Sequence, residues 1–398
     1  MVEQRTHDED LIRLAQALIQ IPSPTGQERA IAEYIRSFLA GVGFEAMVNE
    51  RETVIGILRN GDGPVIVLDA HIDTVEADAS EWTYPPDSGV VVDGMIYGRG
   101  ASDMKGALAA MLHAARRLAE DRRSWRGTLI ISGTSWEEFF EGHTLGKALE
   151  ELSLRGIHPD YVIIGEASEL NIKRGQRGRT RVYCDVKGRA AHSAHPEEGI
   201  NAVYQALVLI EGVRALSLPQ DDFLGDGIVA LIGMHSLPQP VDSVIPYQCR
   251  VSYDLRLLPG ETKDSVLSRF QTVIKGISQS DPAWSAEVSI AAGELLKVDG
   301  THEIVEAFPL AWKIPEDHPL VVKALEATRS VGLKPVVTKY DFCTNGSYSA
   351  GVAGIPTIGF GPGKETTAHI VDEYVEIAQL VKACEGYVAI VQHLSGDR

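Results

Sequence analysis

The sequence predicts an α/β chain: one helix-covered sheet assembled from two separated stretches, with a smaller α+β domain of ferredoxin-like order inserted between them. Three observations predict this. Short Val/Ile-rich runs alternate with helical stretches up to about Gly175, the pattern then changes to β-α-β-β-α-β, and the α/β alternation resumes after about Gly293. The expected boundaries are residues 1–177 and 293–398 for the two pieces of the larger domain and 178–292 for the insert.

Each element has its own signal. Residues 11–19, 30–39, 104–119 and 145–154 carry apolar positions at helix spacing, whereas 65–68, 128–131 and 161–164 are apolar runs of strand length. In the insert, 180–186, 227–234, 248–257 and 286–291 read as strands, and 200–215 and 262–277 as helices. A helix over 319–331, a strand over 354–358 and a long helix over 371–392 complete the larger domain.

With 398 residues, 44% hydrophobic and 23% charged, the chain has ordinary globular usage and enough length for two large cores. The formal net charge of -18, with only short basic pairs such as Arg122-Arg123, argues against a nucleic-acid partner. No apolar run approaches the roughly 18 residues of a membrane span, and the first residues are polar and then helical, unlike a signal peptide. Cys184, Cys249, Cys343 and Cys384 are far apart and form no CxxC pair, which fits free thiols in a reducing cytoplasm.

Five motifs at strand ends and loops hold the chemistry-bearing residues. In Asp69-Ala70-His71-Ile72-Asp73, the H-x-D spacing in extended backbone turns both side chains to one side, so Asp73 could orient a metal-binding His71. The loop Gly98-Arg99-Gly100-Ala101-Ser102-Asp103 resembles a dinucleotide turn, but Asp103 stands where a third glycine would meet pyrophosphate; it would repel an anion and hold a cation. Adjacent Glu137 and Glu138 are flanked by Trp136, Phe139 and Phe140, whose apolar bulk makes a bound cation or raised pKa plausible. Glu166 follows an apolar run, and His369 lies between the glycine-rich stretch 359–363 and the last helix.

Two His, one Asp and two Glu can converge on the carboxyl edge of one sheet, and an all N/O set suits zinc or a hard first-row ion at a catalytic site. Two metals about 3.5–4 Å apart need a bridging carboxylate, and a spare carboxylate can serve as base; Asp103 and Glu137 are the candidates. Serine-hydrolase and P-loop patterns are missing: Gly133-Thr134-Ser135 runs on into Trp136-Glu137, and Gly363-Lys364 is followed by Glu365.

With these motifs in order, nearly the whole chain resembles the family of acetylornithine deacetylases, succinyl-diaminopimelate desuccinylases and glutamate carboxypeptidases. The most specific stretches are DAHIDTV, YGRGASDMKG, SWEEFFEG, GEAS and GFGPG with the later AH and DEYV; AFPLAWKIPEDHPL and Cys343-Thr344-Asn345-Gly346 look most like the subgroup labelled selenium-metabolism hydrolases. The resemblance implies a zinc-peptidase-like mixed sheet and an inserted lid that also makes a homodimer. It implies two zinc ions per subunit, with cobalt or manganese as substitutes: His71 and Glu166 on one, Glu138 and His369 on the other, and Asp103 between them. Asp73 would orient His71, and Glu137 would be the general base. His192, in Gly188-Arg189-Ala190-Ala191-His192, would reach the partner subunit's site, and Arg256 would grip a substrate carboxylate with Asn345, Gly361 and Gly363 nearby. Ser243 and Trp136 depart from common family residues and bear on substrate choice.

The implied reaction is metal-assisted hydrolysis of an amide in a small carboxylate-bearing substrate, most simply an N-acyl amino acid. Glu137 would take the proton of the attacking water and return it to the leaving amine, while His192 stabilises the oxyanion. A dipeptidase or carboxypeptidase would use the same site. A metal-free binding protein is the rival of another class, and the presence of all five ligand positions argues against it.

Overall fold

The computed structural model describes residues 2–239 and 242–396. The chain divides into two compact units: Met1–Gln176, Glu294–Glu303 and Trp312–Arg398 form the first, and Arg177–Gly293 with Ile304–Ala311 form the second. In chain order the first unit begins with helices α1 (Val2–Ile19) and α2 (Arg29–Gly41) and strands β1 (Glu45–Val48), β2 (Val54–Asn60) and β3 (Val65–His71). Helix α3 (Gly106–Glu120), β4 (Gly127–Thr134), α4 (His143–Leu154), β5 (Tyr161–Ile164) and β6 (Ile172–Gln176) follow. The second unit holds β7 (Gly178–Lys187), α5 (Ala202–Arg214), β8 (Ile228–Leu237), β9 (Gln248–Leu257), α6 (Lys263–Ser280) and β10 (Ser285–Ile290). The first unit closes with β11 (Trp312–Lys313), α7 (Pro319–Ser330), β12 (Val337–Tyr340), β13 (Thr357–Gly359) and α8 (Ile377–Leu394).

The main sheet has the order β1-β2-β4-β3-β5-β13-β6-β11, with β12 also paired to β6. Its middle is parallel, β3 with β4 and β5, and β13 with β5, so their carboxyl ends share one edge. Central strands such as Tyr161–Ile164 are apolar throughout because both faces are covered, by α1, α3, α7 and α8 on one side and by the smaller cluster around α4 on the other. Among the described residues no helix is long and apolar enough to cross a membrane.

The second unit is a four-stranded antiparallel sheet of order β8-β9-β7-β10 with α5 and α6 packed on it. Its inner strands alternate buried and part-exposed residues, the period-two pattern of a sheet with a single core face. Edge strand β8 leaves Ile228, Leu231, Ile232 and Met234 between 40% and 53% exposed.

Two expected helix starts move. Residues 104–105 do not continue α3 backwards, because Asp103 and Met104 have non-helical backbone angles and the regular helix begins at Gly106. The last helix begins at Ile377 rather than 371, since Asp372 is left-handed (φ 56°) and Tyr374–Glu376 pairs as a strand with Met95–Tyr97.

Candidate functional site

His71 ends β3, Glu137 and Glu138 follow β4, Glu166 follows β5, and the segment carrying His369 follows β13, so the parallel core delivers all of them to its carboxyl edge. Asp103 arrives on the irregular turn before α3. The side chains form two groups, His71, Asp103 and Glu166, and Asp103, Glu138 and His369, each with ligand atoms within 4.8 Å of one another. Asp103 is common to both. Its Oδ1 lies 2.8 Å from His71 Nε2 and its Oδ2 3.1 Å from His369 Nε2, while Glu138 Oε2 is 3.0 Å from His369 Nε2 and Glu166 Oε1 is 3.7 Å from His71 Nε2.

The electrostatics are those of a cation site. Burial, reinforced by neighbouring carboxylates, pushes Glu137 and Glu166 well above the usual carboxyl range although His71 opposes the rise. For His71, burial works against the charged form but is outweighed by the hydrogen bond to Asp103 and the charges of Glu166 and Asp103, so its pKa rises. Hydrogen bonds to Asp103 and Glu138 raise His369 to about 10. Burial would raise Asp103, yet its bonds with His369 and His71 hold it below the ordinary range. The two groups hold three carboxylates, Asp103, Glu138 and Glu166, and two imidazoles, a donor set that fits two divalent ions. Glu137 belongs to neither group: it is 5% exposed, and its Oε1 is buried without a hydrogen-bond partner among the described residues.

Asp73 meets His71 through its main chain as well as standing beside it. His71 Nδ1 lies 2.9 Å from the Asp73 backbone carbonyl oxygen, whereas the nearer carboxylate oxygen is 3.7 Å away. That carboxylate instead accepts the N–H groups of Glu137 and Glu138 at 3.0 and 3.1 Å and the Thr25 hydroxyl at 2.9 Å. Asp73 thus orients His71 through its main chain and the paired glutamates through its side chain.

Three residues expected at substrate also make internal contacts that brace the site. Asn345 is buried, its amide oxygen accepting from Gly142 N and its nitrogen donating to Asp69 and Thr134. At Gly361 an added Cβ would lie 2.1 Å from the Gly165 carbonyl oxygen and 2.6 Å from that of Glu166, so this glycine lets the loop pack against the backbone carrying Glu166. Gly363 adopts φ 83°, and a Cβ there would meet the Ser102 hydroxyl at 2.4 Å. Both glycines also spend their main-chain groups internally, on Ser168 and Leu170 for Gly361 and on Gln379 and Glu169 for Gly363. His192 and Arg256 belong to the second unit: His192 is exposed and accepts from Ala194 N, and Arg256 pairs with Asp254 at 3.2 Å.

Two supporting acids escape sequence reasoning. Buried Glu373 accepts the N–H groups of Ser102 and Asp103 at 2.8 and 2.9 Å and pairs with Arg99, which fixes the turn presenting Asp103; burial raises its carboxyl to about 7. Its signal was its place in the DEYV stretch, four residues after His369, which carried no hint of the Asp103 turn. Glu28 is fully buried, and its Oε1 accepts the Trp136 N–H at 3.1 Å. Burial, and then the Asp73 charge, raise it from 4.5 to about 8. A folded pKa above the unfolded one means that the stabilisation is complete below about pH 4.5 and is lost as pH rises through about 8. In metal-free protein, the melting temperature of Glu28→Gln is therefore expected to gain on wild type between about pH 5 and pH 8 and level off above. A constant difference across that range would contradict the assigned shift.

Comparisons with known proteins identify the family. The model of peptidase family M20/M25/M40 matches residues 67–393. YgeY of Escherichia coli strain K12, an uncharacterized protein, is 32% identical over 392 residues, covering 97% of this chain and 94% of its own. The succinyl-diaminopimelate desuccinylase of Pseudoalteromonas translucida is 28% identical over 397 residues, covering 97% of this chain and 99% of its own. Among solved structures, the Bacillus subtilis YXEP protein, described as a dinuclear metal-binding peptidase, has a TM-score of 0.73 at 18% identity and covers 98% of this chain and 99% of its own. The chain belongs to peptidase family M20/M25/M40 and is a metal-dependent hydrolase.

Proposed function

We propose that this chain removes the acyl group from a small carboxylate-bearing amide, most simply an N-acyl amino acid, with two zinc ions held by His71, Asp103, Glu138, Glu166 and His369. The reading is carried by Asp103, whose two oxygens face two different histidines beside a buried glutamate, Glu137, that neither donor group uses. A bound metal pair supplies Lewis acidity for the carbonyl oxygen and the attacking water. Glu137 takes the water's proton at its unpartnered Oε1 and passes it to the leaving nitrogen, a task suited to a carboxyl whose proton affinity burial has raised. Asp73 holds the main chain of Glu137 and Glu138 throughout.

Arg256 is the proposed grip for the substrate carboxylate, and His192 the proposed donor to the oxyanion, supplied by the partner subunit of a homodimer. The exposed apolar edge of β8 supports such a dimer, because unpaired strand edges of this kind invite pairing with a second copy. Four buried cysteines, far apart in sequence, support a reducing, cytoplasmic setting.

Deacylation is preferred because the similarity to a desuccinylase runs along nearly the full length of both chains. A dipeptidase or carboxypeptidase differs only in the leaving group. Turnover against a panel of N-acyl amino acids, their methyl esters and dipeptides, with zinc, cobalt or manganese added, is the test. Free-acid acyl amino acids are expected to be cleaved fastest and their esters poorly; a preference for dipeptides of about tenfold, some 1.4 kcal/mol in the transition state, would replace this reading with the peptidase one.

The partner's contribution has its own check. When Glu137→Ala and His192→Ala chains are unfolded together and refolded as random dimers, a histidine acting in trans returns about a quarter of wild-type activity. A histidine serving its own chain returns none.

A further inference from the structure

Glu28 carries an ionisable group into a fully buried position just before α2, and its Oε2 has no hydrogen-bond partner among the described residues. Its other oxygen accepts the N–H of Trp136 at 3.1 Å, and the main chain of Gly26 and of Glu28 itself also hydrogen-bonds the carboxyl. Trp136 has a φ of 59°, a left-handed conformation that a bulky side chain rarely adopts. The next two N–H groups, of Glu137 and Glu138, go to Asp73. Three successive main-chain donors are therefore gripped by two buried acids. The loop containing Glu28 is also shaped around this turn: Thr25 donates to Asp73, and a Cβ at Gly26 would come within 3.2 Å of the Trp136 indole.

We propose that Glu28 is a positioning residue for hydrolysis: its carboxyl binds the Trp136 N–H and holds the left-handed turn that aims Glu137 at the water. This rests on Glu137 being the base. Asp73 fixes the two glutamate N–H groups and the Phe140 N–H holds the Trp136 carbonyl, but the Trp136 N–H itself is held by Glu28, and rotation of that peptide would swing the Glu137 side chain. Displacement of a reacting group by about 1 Å can cost roughly 100-fold in rate without changing the affinity for substrate. With its pKa raised to about 8, Glu28 is largely neutral at pH 7, so glutamine reproduces both its acceptor and its uncharged partner atom.

The test uses full-length, metal-reloaded Glu28→Ala and Glu28→Gln. Metal content, kcat and KM on the best panel substrate, and amide hydrogen exchange of the segment 132–141 are measured. Glu28→Ala is expected to keep its metals and its KM within about twofold, to lose roughly 10- to 100-fold in kcat, and to exchange faster in that segment alone. Glu28→Gln is expected to restore both kcat and protection. Wild-type kcat in Glu28→Ala overturns the proposal. So does an equal loss in both variants, or faster exchange throughout the chain, either of which marks a purely structural role. Should Glu28→Ala fail to fold, Glu28→Asp replaces it: one methylene too short to reach, it is expected to lose kcat likewise, and full activity there overturns the proposal. A wild-type protein inactive on the whole panel would instead reject the proposed amide hydrolysis. The exchange arm would then decide alone, with a local loss of protection reversed by glutamine supporting the turn-holding role and no local loss overturning it.

Discussion

Glu137→Gln is expected to reduce kcat by on the order of 10²–10⁴-fold while leaving the metal content at the wild-type level. The amide keeps the shape of the carboxyl but cannot accept a proton, and Glu137 lies in neither ligand group. Glu138→Ala should do the opposite, lowering bound metal first and activity in consequence, because Glu138 Oε2 shares a ligand group with His369 and Asp103. Metal analysis after dialysis and reloading, paired with kcat, separates the two. Equal metal loss in both variants would refute the division of labour between these neighbours.

Asp103→Ala is expected to abolish activity and to lower saturating metal from about two ions per chain to about one or fewer, since a single side chain serves both donor groups. Its two oxygens face different histidines, so its removal also takes from His71 and from His369 one hydrogen bond that raises the pKa, while His369 keeps its bond to Glu138. A wild-type protein saturating near one ion, unchanged by Asp103→Ala, would end the bridging assignment.

The parallel heart of the sheet was legible because burial on both faces turns a strand such as Tyr161–Ile164 into an uninterrupted apolar run. Ile172–Gln176 was not: it is buried while holding Lys173, whose ammonium is balanced by Glu365 and the Lys339 carbonyl, and a partner far along the chain leaves no local period. The candidate ligands were legible for a related reason, since carboxylates and histidines directly after apolar strands are conspicuous. Their supports were not. Glu28 reaches Trp136 across 108 residues, Asn345 reaches Gly142 across 203, and Glu373 reaches Asp103 across 270. No window of sequence contains both ends of such a contact. Gly361 was legible as special, but its close approach to the Gly165 and Glu166 carbonyls was not.

Strand β13 pairs with β5 from Thr357↔Val162 to Gly359↔Ile164 and with β6 at Lys173, so one of the last strands to be synthesised fills a slot between two made much earlier. During translation, β5 and β6 must wait with facing edges unsatisfied while the whole second unit emerges from the ribosome. Unpaired, largely apolar edges are sticky, and the interval is one in which chaperones would be needed most. The second unit meets no such delay, because its four strands lie within a continuous stretch from Gly178 to Ile290. His369 leaves the ribosome later still, so the donor group of Asp103, Glu138 and His369 is complete only after β13 has been made.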